Sequence, residues 1–310
     1  MPRVIVTGGA GFIGSNVVDA YIKEGFKVAI IDNLRTGKKR NINKKAKFYQ
    51  TDIINKKELR EVFEDFKPHF VNHHAANAVV PLSIKRPVFD ARNNIIGSIN
   101  LIDLAKEFKV KKFIYAASGG AAYGEPKELP ATEATPLSPL SPYAVTKHVA
   151  EEYLKVYHYI YNLEWIALRY ANVYGLRQDP HGEAGVIAIF AGNMLKNQVC
   201  KINGDGSHTR DYVYVGDVVR ASLLAINKKN KHRAFNIGTN AATSTLDIYK
   251  TLSEELNCKK EPFFRPEVPE VGHIRLDYSL AKKELDWKPK VSLKEGIKKT
   301  VEWLKKEMGE

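Results

Sequence analysis

An α/β architecture, a doubly wound parallel sheet with helices on both faces, is what this sequence predicts, and three observations carry the prediction. Short β-rich runs alternate with stretches of helical period: RVIVTGG (3–9), then FIGSNVVDAYIKEG (12–25), then KVAIID (27–32). The runs are apolar almost throughout instead of alternating, as strands buried on both faces must be. Three glycines, Gly8, Gly11 and Gly14, fall at the first strand-to-helix junction, where such a sheet makes a tight turn.

The later elements keep the rhythm. AKFYQTD (46–52) reads as a strand, NKKELREVFEDF (55–66) as a helix and PHFVNHHAA (68–76) as a strand. A long helix near 87–108 and the strand KKFIYAAS (111–118) come next, and SPYAVTKHVAEEYLKVYHYIYN (141–162) reads as one helix. At 100° per residue Ala150, Tyr153, Leu154, Tyr157, Ile160 and Tyr161 share a stripe expected to face the core, with Tyr143 inside it and Lys147 on its margin. Beyond about residue 170 loops, glycines and prolines become more frequent.

Bulk properties narrow the function classes. A chain of 310 residues buries a sizeable core, and 44% hydrophobic with 27% charged residues is ordinary for a globular protein. No window approaches the roughly 18 apolar residues of a membrane span, and the first β run starts at residue 3, which leaves no room for a signal peptide. Cys200 and Cys258 are too few for a disulfide framework, so a cytoplasmic home is expected. The net charge of +13 raises nucleic acid as a partner. The lysines, however, cluster in loop-like segments such as GKKRNINKKAK (37–47) and NKKNKH (227–232), as a solvated surface would, so nucleic acid is not expected.

The glycine motif TGGAGFIGS (7–15) carries a physical requirement. Gly8 permits the tight turn, Gly11 lets backbone approach a pyrophosphate, and Gly14 lets the helix pack on the sheet. The helix N-terminus offers N–H groups and a positive dipole end to phosphate. Asp32 ends the second strand, 18 residues past Gly14. A carboxylate there accepts from ribose hydroxyls and repels a 2′-phosphate, which predicts NAD over NADP, with Arg35 as the counter-signal. Phe12, Ile13 and Asn33 are assigned to the same cofactor site. The fold is therefore expected to be Rossmann-type: an NAD-binding unit over residues 1–170, and a smaller substrate lobe over 171–310 interleaved with it.

Tyr143 and Lys147 are i and i+4 and lie one turn apart on one helix face. A free tyrosine has a pKa of about 10, too high for a base at neutral pH, and a cation held beside it favours the phenolate. The plain alternative is a lysine that pairs with Glu151 at i+4.

Taken together, TGGAGFIG, IIDNL, HHAA, NNIIGSINLI, SGGAAYG, SPYAVTK, LRYANVYG, DGSHTRDYVYVGDVV and LDYSLAKKELDWKPKVSLKEGI resemble, block by block and in order, the extended short-chain dehydrogenase/reductase family of NAD-dependent epimerases and dehydratases. The resemblance spans nearly the whole chain and points, within the family, to 4-epimerisation of UDP-glucose and UDP-galactose. It implies that Tyr143 is the acid/base toward the sugar 4-hydroxyl and that Lys147 lowers its pKa and bonds the nicotinamide ribose. Hydride would leave C4 for NAD and return to the opposite face of a rotated 4-keto sugar. By the same implication Asn94 contacts the cofactor, Asp52 and Ile53 lie on the adenine side, and Ala75, Ala76 and Tyr170 surround the pyrophosphate and nicotinamide. Asn172, Val186 and Arg210 would bind the UDP-hexose, Arg210 at the diphosphate, where a guanidinium suits bidentate contact. The plain alternative for Arg210 is a surface pair with Asp211. The helices near 87–108 and 143–162 would pair in a homodimer.

Two departures from the family pattern stand out. The third catalytic residue, Ser or Thr five positions before the glycine of the YG pair, is here Gly119, with Ser118 one residue earlier. Adjacent strand residues face opposite ways, so Ser118 serves as the catalytic and substrate-binding hydroxyl only where the backbone leaves strand geometry. In RPEVPEVGHIRLD (265–277) the expected diphosphate cluster has altered spacing, which leaves Arg265 unassigned. The 4,6-dehydratases carry an Asp-Glu pair where this chain has Gly120 and Ala121. Epimerases or decarboxylases of UDP-glucuronate, epimerases of UDP-N-acetylhexosamines, and a non-catalytic NAD-binding or RNA-binding member remain as alternatives.

Overall fold

The computed structural model describes residues 1–180, 185–228, 230–268 and 271–309. Its centre is a seven-stranded sheet of β1 (Arg3–Thr7), β2 (Lys27–Ile31), β3 (Lys47–Tyr49), β4 (Phe70–His73), β5 (Lys112–Ser118), β6 (Trp165–Tyr170) and the strand Ala234–Ile237. The strand order is Ala234–Ile237, β6, β5, β4, β1, β2, β3, and every pairing is parallel. The chain winds outward in both directions from β1, so the switch point lies between β1 and β4, where such sheets open a crevice at the strand ends.

Alternation along the strands builds two cores, one per face. Val4, Val6, Ile114, Ala116, Ile166 and Leu168 face one side. Ile5, Phe113, Tyr115, Ala117, Trp165 and Ala167 face the other. Helices α1 (Phe12–Lys23) and α2 (Lys56–Phe66) come from the two first crossovers. The Asn55 side chain caps α2 by accepting from the Glu58 N–H, satisfying one of the donors a helix start leaves orphaned.

The expected helix near 87–108 is longer in sequence than any one regular element. Short α3 (Val80–Lys85) precedes it, then α4 (Pro87–Ala91) runs through a π-helical turn, Arg92–Ile96, into α5 (Gly97–Glu107). The strand expected over 68–76 stops at His73, because residues 74–76 leave the sheet to pass over the glycine turn. A β-carbon on Gly8 would stand 2.7 Å from the Ala75 nitrogen.

After β5 comes the one-turn helix α6 (Gly119–Ala122), and then α7 (Pro142–Tyr161). Ser141 caps α7 by accepting from the Ala144 N–H, Pro142 occupies its first turn, and Asn162 in left-handed conformation ends it. The apolar stripe read from the sequence is wider than the face that packs. Ala150 and Leu154 are buried, whereas Tyr153, Ile160 and Tyr161 are exposed. The sheet and α4–α5 take one side of the helix, and the outer side keeps its apolar residues in contact with solvent.

Residues beyond 170 do not form a separate layer. Helix Val215–Asn227 packs on α1, and Ala234–Ile237 extends the sheet beside β6. Helices Val186–Leu195, Thr245–Leu256 and Leu293–Met308 gather round a third core that includes Phe190, Ile202, Tyr214, Leu252 and Ile297.

Candidate active site

A cleft of about 1500 Å³ opens at the carboxyl ends of β1, β2, β4, β5 and β6 and runs to the segments around Arg210 and Arg265. At its floor lies the glycine turn. Gly8 has φ +67°, and a β-carbon on Gly14 would collide with the Gly8 carbonyl oxygen at 2.2 Å. Gly11 precedes α1 with no side-chain cap, so the leading N–H groups of α1 face the cleft without an intramolecular side-chain acceptor. This is the cradle a pyrophosphate needs, and the residues present fit a dinucleotide.

Asp32 is nearly buried at the end of β2. Oδ2 accepts from the Ala10 N–H at 3.0 Å and Oδ1 from the Leu34 N–H at 2.8 Å. Burial raises its pKa, and those two backbone donors oppose the rise. Each oxygen keeps a lone pair for a ribose hydroxyl. Arg35, the counter-signal, has its guanidinium 4.4 Å from the centre of the Phe89 ring. Beside it, the Asn33 Oδ1 accepts from the Arg35 N–H, and the Asn33 amide donates to Asp52 at 2.8 Å. Phe12, Ile13, Asp52, Ile53, Ala75, Ala76 and Tyr170 also line the cleft.

Asn94 does not. It is buried within the π-helical turn, where its Oδ1 accepts from the Asn77 N–H and its amide donates to the Asn77 carbonyl, Asp90 and Thr146. The neighbouring Asn93 reaches the cleft wall instead. A regular helical register does not anticipate this, because the π turn inserts a residue and rotates those after it. Val186 differs likewise: it is the first residue of its helix, and Gly185 and Ile187 line the cleft in its place.

Tyr143 and Lys147 both line the cleft from α7. The Tyr143 N–H donates to the Ser83 hydroxyl, which ties the first turn of α7 to α3. Lys147 is 5% exposed, and its ammonium donates to the Ala116 carbonyl at 2.9 Å and lies 5.0 Å from the Tyr115 ring centre. Pairing with Glu151 is not what the structure shows. Glu151 is gripped by Arg169 of β6, with Nη2 to Oε2 at 2.8 Å and Nε to both oxygens at 3.2 Å. The Arg210–Asp211 alternative falls similarly. Asp211 accepts from Thr239, Asn240 and Leu276, while Arg210 lines the cleft and donates to the Thr209 and Gly272 carbonyls.

Ser118 is the last residue of β5 and lines the cleft. Gly119 faces the other way, since a β-carbon there would stand 2.5 Å from Leu276 Cδ1 and 3.0 Å from the Arg169 carbonyl oxygen. Asn172, Gly120 and Ala121 line the cleft near Ser118, so no carboxylate stands where the dehydratases place their acid pair. Arg265 lines the cleft too and donates to Asn203 at 2.8 Å, while Pro269 and Glu270 of the same stretch lie outside the described residues.

Sequence reasoning missed His74. It lines the cleft with both ring nitrogens buried and without hydrogen-bond partners, parallel to the Tyr170 ring at 6.2 Å. Burial, helped by the Lys147 charge, pushes its pKa down to about 3, so the ring is neutral. Its place after an apolar strand, next to a second histidine, was the available signal.

Comparison with known proteins agrees with this geometry. The model of the NAD dependent epimerase/dehydratase family matches residues 4–238. The UDP-glucose 4-epimerase of Mycolicibacterium smegmatis is 41% identical over 311 residues, covering 98% of each chain. The crystal structure of a UDP-glucose 4-epimerase with UDP-glucose from Thermotoga maritima superposes with TM-score 0.97 at 46% identity, covering 99% of both chains. That of the Thermus thermophilus UDP-glucose 4-epimerase with NAD gives 0.92 at 41% identity, covering 98% and 99%. The chain belongs to the NAD dependent epimerase/dehydratase family, and NAD is its cofactor.

Proposed function

We propose that this chain interconverts UDP-galactose and UDP-glucose at C4 of the sugar. The observation that carries the reading is that Tyr143 and Lys147 open onto the same cleft as the glycine turn and Arg210. The relatives named UDP-glucose 4-epimerase, one solved with UDP-glucose and one with NAD, support it.

Bound NAD supplies the hydride acceptor and donor for C4. Gly8, Gly11, Gly14 and the start of α1 hold its pyrophosphate, and Asp32 its adenosine ribose. Tyr143 withdraws the proton from the 4-hydroxyl oxygen and gives it back after the sugar has turned. Lys147 holds a positive charge one helical turn from Tyr143 and so favours its phenolate. Ser118 lines the same cleft, and its hydroxyl donates to the sugar 4-oxygen as charge develops. Asn172 and Arg210 hold the diphosphate, which lets the sugar rotate while the nucleotide stays fixed. Gly120 and Ala121 offer no acid to C5, which separates this site from dehydration.

Assembly and setting belong to the same proposal. Val145, Tyr153, Val156 and Ile160 on α7 are exposed, as is Ile96 on the neighbouring helix. An apolar face of that kind supports a homodimer through α7 and the 87–107 helices. Both cysteines are free, and among the described residues no helix is long and apolar enough to cross a membrane, which supports a cytoplasmic enzyme. The test is conversion of UDP-galactose followed by NMR, with UDP-N-acetylglucosamine and UDP-glucuronate in the same panel. Turnover of UDP-galactose is expected; exclusive turnover of either other sugar overturns the substrate assignment.

A further inference from the structure

We infer that Arg169 is a positioning residue for the Tyr143–Lys147 pair, acting by keeping the Glu151 carboxylate off the Lys147 ammonium. The inference rests on the reading of Tyr143 as the acid/base.

Lys147 and Glu151 are spaced i,i+4 on α7, the spacing at which a lysine and a glutamate meet on one helix face. Both are buried, at 5% and 2% exposure. In so dry a place an ammonium and a carboxylate attract strongly. Such a pair would hold Lys147 away from Tyr143 and cancel the charge that favours the phenolate. The fold prevents it from the neighbouring strand. Arg169 on β6 presents Nε and Nη2 to Glu151 as a fork, the geometry in which guanidinium outcompetes ammonium for a carboxylate.

Arg169 is itself anchored. Its Nη1 donates to the Tyr123 hydroxyl at 3.0 Å, and Tyr123 donates to Asn236 Oδ1 on the edge strand at 2.7 Å. The charged groups facing Lys147 from the other packed elements do not substitute for Glu151. On β5, Tyr115 is kept protonated by burial. At the end of β4 and just past it, His73 and His74 are kept neutral by burial and by Lys147 itself. On α4, the Asp90 oxygens accept from Asn77, Asn94 and Thr146. Glu151 is therefore the carboxylate whose allegiance sets the charge at Lys147, and Arg169 decides it.

The experiment is a pH profile of kcat/KM for UDP-galactose, with the phenolate absorbance of Tyr143 titrated in parallel by difference against Tyr143→Phe in each background. Arg169→Met should free Glu151 for Lys147 and move the acid limb upward by about one pH unit or more, with roughly tenfold less turnover below the limb. Arg169→Gln, which keeps a neutral donor to Glu151 and so a milder core, should move it the same way. The double variant Arg169→Met, Glu151→Gln should bring the limb back. A limb that stays in place in a folded Arg169→Gln or Arg169→Met protein overturns the inference, as does a folded double variant that fails to restore it. Full turnover in Tyr143→Phe would strike the acid/base reading instead, which keeps the two failures apart.

Discussion

Gly14 lies directly against Gly8, so close that a β-carbon on Gly14 would stand 2.2 Å from the Gly8 carbonyl oxygen. That contact holds the start of α1 against the end of β1 and sets the cofactor cradle. Gly14→Ala should push the turn apart, lose bound NAD, and cost about 1–3 kcal/mol of stability, as overpacking does. Wild-type protein, denatured and analysed for released nucleotide, should give NAD(H), and the variant should give little. NADP as the main nucleotide would show that Arg35, not Asp32, governs the ribose.

Tyr143→Phe removes the proton-carrying oxygen and keeps the ring. Conversion of UDP-galactose should fall roughly 10²–10⁴-fold, the usual worth of general acid–base catalysis. NAD content and melting temperature should hardly move. Wild-type turnover in this variant would end the assignment.

Ser118 and Gly119 make a paired test, because the strand ends between them: Ser118 lines the cleft, whereas a β-carbon added at Gly119 would face Leu276. Ser118→Ala should lower kcat at least about tenfold, since a donor aimed at developing charge is worth about 2.7–4 kcal/mol. Gly119→Ser should not rescue it. Its side chain would meet Leu276 and the Arg169 carbonyl, so the expected outcome is lower stability with no gain in rate. Unchanged activity in Ser118→Ala would assign the hydrogen bond to backbone or water.

His74 makes stability sensitive to acid. Its pKa is about 3 in the fold against an ordinary value of 6.5. The unfolded chain thus binds the extra proton first, and stability is complete above about pH 6.5 and lost as pH falls toward 3, by up to about 1.4 kcal/mol per pH unit. His73, buried and depressed in the same sense, adds to the loss. In His74→Leu the melting temperature measured from about pH 7 to 4 should decline less steeply. An identical slope would mean that His74 charges without cost, against its burial.

The exposed apolar face of α7 predicts association. Light scattering at micromolar concentration should give twice the 34.9 kDa chain mass. Tyr153→Glu should shift it toward the monomer by placing a charge in the contact. A wild-type mass near 34.9 kDa removes the homodimer from the proposal.

Some of this is determined by local order in the chain. The parallel sheet, the glycine turn with Asp32 after it, and the α7 start at Ser141–Pro142 are written in spacings of a few residues, and so are legible in the sequence by itself. The Tyr143–Lys147 pair is legible for the same reason, since i,i+4 fixes a shared helix face. What the tertiary structure decided are matters of allegiance between distant residues. Glu151 belongs to Arg169 because β6 lies beside α7, 18 residues away in sequence. Asn94 turns into a buried network because a π turn shifts its register, and Gly119 looks toward Leu276 because β5 ends at Ser118. Arg35, in the loop after β2, rests on Phe89 of α4. Periodicity shows which face a residue takes on its own element. Which group meets it there depends on how the elements pack, and hydrogen bonds and buried charges are settled by that meeting.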